Sequence, residues 1–240
     1  LRQLCTTQVA LGLAQARMGD LQACMLTLRD NLLLAQRLRE PFNISMTELY
    51  LAECLVQVPE RSDEANTVAT QTLCTDPTAR PGVVGAGNWI RAQYHAERNQ
   101  LAEAESYARA AAKALVAMPI HRTQVLVTLA QILLRQGRAA EARTVGDEAL
   151  QILDACGGIG VGDIAARVIA AEAYMADGDA DGARGILREA LLRLRQGLAD
   201  VPSAELRAHF LQTVPENVRV NELARQLDLP PAAADPDSHS

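Results

Sequence analysis

The chain has 240 residues, 49% hydrophobic and only 3% aromatic, so it can bury a sizeable core, but one built from Leu, Ala, Val and Ile rather than from rings. Its formal charge is −6, Lys113 is the only Lys, and like charges form no blocks; this argues against nucleic acid as a partner. No apolar run reaches the roughly 18 residues of a membrane-spanning helix, and no charged leader precedes a cleavage site, so the cytoplasm is the expected compartment.

In chain order, the 3.6-residue apolar pattern predicts helices in pairs. The first pair spans 1–18 and 21–39 and is expected to stop at Pro41. The second spans 44–58 and 62–74, broken by Asp76-Pro77 and Pro81-Gly82. A third spans 87–98 and 101–118, stopped by Pro119. The fourth spans 120–136 and 139–155, closed by Gly157-Gly158, and the fifth spans 161–177 and 180–199, followed by Pro202. A last pair, 203–213 and 216–227, has Ser203 as N-cap and Pro215 in the first turn. Residues 229–240 carry no apolar face and are expected to be a disordered tail, leaving 1–228 as one helical domain. Leu1 falls within an amphipathic pattern and is not Met, so a longer parent protein is expected.

A small residue recurs in one local frame at Cys24, Ala65, Ala104, Ala142 and Ala183, at spacings of 41, 39, 38 and 41 residues. Gly19, Gly137 and Gly178 lie five positions before three of these, and Asn99 takes that place before Ala104. Earlier in four of the frames stand Leu11-Gly12, Leu51-Ala52, Leu129-Ala130 and Ala170-Ala171. Two helix axes approach to about 8–10 Å only where the side chains between them are small. The five small residues are therefore expected where the second helix of each pair crosses the first. Gly, or Asn in its place, supplies the left-handed backbone of the turn between them. Leu28, Leu133, Tyr174 and Leu187 are expected to fill the space between neighbouring pairs, which makes the periodicity that of one continuous array.

The stretch Leu126-x-x-Leu129-Ala130-x-x-Leu133-x-x-x-Gly137-x-x-x-x-Ala142-x-x-x-Gly146-x-x-Ala149-Leu150 resembles a tetratricopeptide repeat. Tyr174, Gly178, Ala183, Leu187, Ala190 and Leu191 repeat the frame, and Leu11-Gly12, Cys24, Leu28 and Leu32 follow it more loosely. The resemblance covers residue 1 to about 199, with a period near 40 rather than 34. It implies an all-α, right-handed α-solenoid of about five helical hairpins with a C-terminal capping pair. It further implies a non-catalytic protein–protein interaction or regulatory sensor module of a larger bacterial signalling protein. The alternative it leaves open is a small-ligand sensor of a transcriptional regulator or nucleotide-switch ATPase.

Such an array offers a concave face made by the first helix of each hairpin. Projecting the frame gives an apolar row, Val9, Leu49, Trp89, Val127 and Val168, and one turn on a more polar row, Leu13, Glu53, Gln93, Gln131 and Glu172. These ten residues are the candidate groove for a protein or peptide segment, possible also from another domain of the parent chain. The Lys/Asn clamp with which some family members hold a C-terminal carboxylate does not fall at these positions.

Other motifs read as structure. Asp177-Gly178-Asp179-Ala180-Asp181-Gly182 spells the start of a calcium loop, but the twelfth position, which needs a bidentate Glu, is Arg188, and the eighth is Arg184. Gly157-Gly158-Ile159-Gly160-Val161-Gly162 lacks the Lys-Ser/Thr of a phosphate loop and follows a helix. The four His (His95, His121, His209, His239) are scattered, and the five Cys are never closer than 19 residues, so neither an active site, a zinc site nor a disulfide framework is expected. No cofactor is expected. An enzymatic reading would need His95 with Glu97 to meet a nucleophile across the groove.

Overall fold

The computed structural model describes residues 2–17, 20–75, 80–157, 162–199, 201 and 203–232. The expectations placed on Gly19, Asp76-Pro77, residues 158–161, Pro202 and residues 233–240 lie outside that set. Among the described residues there are twelve α-helices and no strand. They are α1 (Arg2–Arg17), α2 (Leu21–Leu38), α3 (Pro41–Val56), α4 (Ser62–Thr75), α5 (Pro81–Glu97), α6 (Leu101–Ala114), α7 (Pro119–Arg135), α8 (Ala139–Ala155), α9 (Asp163–Ala176), α10 (Ala180–Ala199), α11 (Ala204–Thr213) and α12 (Pro215–Gln226). A single 3₁₀ turn, Pro59–Arg61, leads into α4.

Each of the five small frame residues is the fourth residue of the second helix in its pair, and each is fully buried. The turn before Ala65 is the 3₁₀ turn Pro59–Arg61, and three of the others share one geometry. Asn99, Gly137 and Gly178 have φ of 58°, 76° and 87°. The next residue donates its N–H five positions back: Gln100 to His95 O at 2.9 Å, Arg138 to Leu133 O at 3.0 Å and Asp179 to Tyr174 O at 2.9 Å. Asp20 does the same to Gln15 O at 3.0 Å. These bonds satisfy carbonyls that the helix end would leave orphaned and turn the chain straight into its second helix.

Prolines that the sequence offered as stops are starts. Pro41, Pro81 and Pro119 each open a helix, where the missing N–H is one the first turn could not have bonded. For α5 this moves the beginning from the expected 87 to Pro81, and Gly82, Gly85 and Gly87 become helical. Two of them are there for close approach. A Cβ on Gly85 would come within 2.3 Å of the Leu115 side chain, and one on Gly87 within 2.8 Å of Leu73. The second helix of that pair, α6, ends at Ala114 rather than 118.

The chain divides into two compact units, Leu1–Met118 and Pro119–Ser240, where the periodicity suggested one array. Within the first, α1 packs on α2, α3 on α4 and α5 on α6, and the first helices α1, α3 and α5 also pack in succession. Its core gathers Cys24, Leu28, Leu49, Leu55, Ala65, Val83 and Ile90. Within the second, α7 pairs with α8 and α9 with α10, and α9 also touches α7 and α8. There Gly146 of α8 lets α9 come so near that a Cβ would sit 3.2 Å from Ala170 Cα. The core of this unit runs from Val168, Ala171 and Ala183 through Leu187 and Leu194 to Val220 and Leu223 of α12.

The closing elements differ from a simple capping hairpin. It is α12 that packs on both α9 and α10, while α11 packs on α12. The chain after α12 continues the packing as well: Leu229 and Ala232 are buried in the same core, and Arg195 donates to the carbonyls of Pro230 and Pro231 at 3.2 and 3.0 Å. The expected disordered tail therefore does not begin at 229. Leu229 and Ala232 alone carry too short an apolar pattern to announce this burial in the sequence.

One buried charge cluster belongs to the second unit. Asp163, the first residue of α9, accepts from Arg167 Nε at 3.2 Å, and their side chains are 7% and 6% exposed. Arg167 also reaches Asp154 of α8 at 3.4 Å, and Asp163 pairs with Arg193 of α10 at 3.5 Å.

Two outcomes are expected. Ala183→Arg must force a charged chain into a fully buried helix crossing and should cost about 3 kcal/mol or more in chemical unfolding, whereas Leu192→Arg, at a residue that is 48% exposed, should cost less than about 1 kcal/mol. Equal effects would refute the register. Separately, burial pushes the His121 imidazole below its ordinary value of 6.5. The unfolded chain then takes up a proton that the fold refuses, so this contribution to stability is complete above the ordinary value and is lost as the pH falls through it. Melting of His121→Gln should accordingly depend less on pH than that of the wild type between about pH 7 and 5.5.

Candidate functional site

Three pairs of the projected rows fall in the first unit and two in the second. In the first, Val9 and Leu13 stand on α1, Leu49 and Glu53 on α3, and Trp89 and Gln93 on α5, three helices that pack in succession. Val9, Leu13, Glu53, Trp89 and Gln93 are half-buried. Leu49 is not part of a surface: at 1% exposed it is a core residue against Leu28 and Leu55. The period places it on the inner side of α3 but says nothing of depth. Gln93 has a feature the sequence could not show: its Nε2 is out of solvent and has no hydrogen-bond partner in the structure. A buried amide donor left so costs about 1–3 kcal/mol until an acceptor reaches it.

In the second unit the rows fare differently. Val127 is half-buried and Gln131 exposed, both on α7. Val168, 7% exposed, belongs to the core. Glu172 accepts from Arg219 Nε of α12 at 2.5 Å, and Arg219 also holds Glu222 at 3.0 Å. The carboxylate expected to face a partner is thus engaged by the closing helix. The two residues lie 47 positions apart and share no repeat register, so nothing in the spacing announces the pair.

Beside Trp89 and Gln93, α5 carries an aromatic and basic cluster. The Arg91 guanidinium lies 4.1 Å over the Tyr107 ring of α6 and donates to its hydroxyl at 2.5 Å. His95, which the enzymatic reading required, stacks on Tyr107 at 5.2 Å, meets Tyr94 edge-on at 5.1 Å and shares a hydrogen bond with Gln100 at 2.7 Å. These contacts bind the imidazole into the helix-pair junction. Among the described residues no three His, Cys, Asp or Glu side chains gather as a metal ion would need.

An Arg stacked on a Tyr that bonds an Asp occurs once in each unit. In the first, Arg98 lies 3.9 Å over Tyr94, and both reach Asp63 of α4, at 2.7 and 2.9 Å. In the second, Arg143 of α8 lies 4.0 Å over Tyr174 of α9, whose hydroxyl donates to Asp147 at 2.8 Å. Arg143 also pairs with Asp177 and Asp179, each at 3.1 Å. Those two carboxylates are the first two of the calcium-like motif. Asp179 in addition accepts from Gly182 N at 2.8 Å as a helix cap, and Asp181 pairs with Arg184 at 2.6 Å. The motif is a repeat turn with its acids neutralised by Arg.

Residues 123–145 and 164–189 match the tetratricopeptide-repeat family model, the first from α7 into α8 and the second from α9 into α10. Among solved structures the chain is similar to a Podosopora anserina protein described as a kinesin light chain with nearly identical TPR-like repeats. They share 16% identity at a TM-score of 0.55, covering 81% of this chain and 96% of that one. It is also similar to the Signal Transduction ATPase with Numerous Domains (STAND) protein with a tetratricopeptide repeat sensor from Pyrococcus horikoshii. There the identity is 14% and the TM-score 0.60, with 95% of this chain covering 39% of that one. None of the curated proteins matches the sequence. The chain thus carries tetratricopeptide-repeat sequence in its fourth and fifth hairpins, and its fold is that of TPR-like helical solenoids. Such repeats suggest a protein–protein interaction scaffold.

Replacing Asp179 by Ala removes a helix cap and half of the Arg143 clasp, which should cost about 1 kcal/mol in chemical unfolding. Calorimetric titration with calcium should give the same featureless heats for this variant and the wild type. Submillimolar affinity abolished by the substitution would overturn the turn assignment.

Proposed function

We propose that the chain is a non-catalytic interaction module that captures a protein or peptide segment on the inner face of its first unit, over Val9, Leu13, Glu53, Trp89 and Gln93. The observation that carries this reading is the pairing on α5 of a half-buried Trp with an amide donor one turn on that finds no acceptor among the described residues. An extended or helical segment supplies what is missing: an apolar side for Trp89 and, once the Gln93 side chain turns outward, a backbone or side-chain oxygen for its amide. Glu53 favours a neutral or basic segment. Glu172, held by Arg219, adds nothing to that preference.

The wider setting belongs to the same proposal. The chain serves as the regulatory part of a larger bacterial signalling protein in the cytoplasm, passing occupancy of the face to a neighbouring domain. The STAND protein, whose repeat domain is named a sensor, supports this by likeness of fold. Among the described residues no helix is long and apolar enough to cross a membrane.

Panning a displayed library of helical and extended peptides against the full chain, followed by titration of the selected binder, tests the reading. Trp89→Ala should weaken that binder by about 2 kcal/mol, roughly thirtyfold. Gln93→Ala should weaken it less while leaving the fold as stable or slightly more so, and Glu53→Lys should repel a basic sequence. Glu172→Lys should instead lower stability, by about 1 kcal/mol, by setting a cation against Arg219. Unchanged affinity in Trp89→Ala and Gln93→Ala together would sink the proposal. Binding of a small metabolite at Trp89, with no peptide selected, would transfer the face to a ligand sensor.

A further inference from the structure

Two of the five cysteines meet. The sulfurs of Cys24 on α2 and Cys54 on α3 lie 2.9 Å apart in the core of the first unit, with the residues 0% and 2% exposed. Neither sulfur is required by the repeat. Where Cys24 stands, the other four hairpins carry Ala65, Ala104, Ala142 and Ala183, so a methyl group suffices at the helix crossing. Cys54 lies two residues after Ala52, and in the frames of α7 and α9 that place is taken by Ile132 after Ala130 and Ala173 after Ala171. The first unit thus departs from the repeat's Ala at Cys24 and carries a second thiol 30 residues on, at a place whose residue varies between hairpins, and the fold brings the two sulfurs into contact. The remaining cysteines have no thiol partner in the structure: Cys5 is buried, and Cys74 and Cys156 are exposed.

We propose that Cys24 and Cys54 are a redox pair that closes to a disulfide between α2 and α3 when the chain meets a small-molecule disulfide oxidant of the glutathione type. In the first step one protein thiolate attacks the oxidant's S–S bond. A mixed disulfide forms and one small thiolate leaves. The second protein thiolate then attacks the protein-bound sulfur of that mixed disulfide, forming the Cys24–Cys54 bond and expelling the second small thiolate. The two protons shed by the protein thiols go to the two departing thiolates, so the protein loses two electrons and two protons and the oxidant is reduced to two thiols. Burial raises the pKa of both sulfurs, with Glu53 adding to the effect at each and Asp20 at Cys24. At neutral pH both are therefore protonated thiols rather than thiolates, which slows exchange in the closed fold. Exchange proceeds through local opening of the first hairpin. Once formed, the bond fastens the first hairpin to the second beside Glu53. This inference stands independently of the peptide-binding proposal.

The test uses the full chain carrying Cys74→Ser and Cys156→Ser, which leaves Cys5, Cys24 and Cys54. It is incubated with oxidised glutathione in urea below the unfolding transition, quenched by alkylation under denaturing conditions, and digested. The expected product carries one alkyl group, on Cys5, and yields the Cys24 and Cys54 peptides joined at about 2 Da below the sum of their unalkylated masses. Its melting temperature should rise by about 5 °C and return on addition of dithiothreitol. Adding Cys24→Ala, which restores the residue of the other hairpins, should abolish both changes. Full alkylation of Cys24 and Cys54 after incubation would overturn the proposal, as would a glutathione adduct that never closes or a linkage through Cys5.

Discussion

Everything in this fold follows from one steric condition: the fourth residue of each second helix must be small enough to vanish between two helix axes. Cys24, Ala65, Ala104, Ala142 and Ala183 meet it with complete burial. Because the crossing is close, the turn before it must be short, and a left-handed residue with its five-back hydrogen bond is the short solution. Because the turn is short, the two helices run antiparallel and can bury only one side each against the other. The remaining apolar surface must then be covered by the next hairpin, and in the second unit ultimately by α12. At the end of this chain of necessities Val9, Leu13, Trp89 and Gln93, on the first helices of the first unit, stay half-buried.

Much of this was legible in the sequence, for reasons that also mark where legibility stops. Ala139–Ala155 and Ala180–Ala199 were expected at their observed limits because a Gly turn precedes each and a strong apolar stripe runs through it. The prolines misled because the same residue ends one helix and begins the next, and only the packing of the following turn decides which. Pro81-Gly82 read as a break and the helix was expected only from Gly87, because Gly weakens a helix by about 1 kcal/mol in isolation. Leu115 and Leu73, filling the spaces where Cβ atoms would be, outweigh that cost. For the candidate site, periodicity gave the face but not the depth, so Leu49 and Val168 appeared in a row that the core claims. Side-chain pairings across different periods, Glu172 with Arg219 and Cys24 with Cys54, leave no trace in any spacing.

The bias toward Arg has a structural use. Arg98 and Arg143 each lie flat on a Tyr ring while their N–H groups reach carboxylates on a neighbouring helix or turn, a combination of stacking and forked donation that the point charge of Lys does not offer. Each clasp ties a first helix to the second helix of the preceding pair, α5 to α4 and α9 to α8. With few rings in the core, these polar joints supply directional contacts that an aliphatic interior lacks.

The buried cluster around Asp163 and Arg167 carries a consequence for how firmly α9 is set. The buried face of α9 is built largely from small residues, Ala166, Ala170, Ala171 and Ala173, with Val168 and Ile169 among them, so few large side chains interlock it with its neighbours. Arg167 is tied to α8 through Asp154, and Asp163 to α10 through Arg193. A one-turn slip of α9 would part both ties and strand charge inside the unit, at a cost of several kcal/mol. The ions act as a detent: they add a directional hold to an interface made largely of small residues.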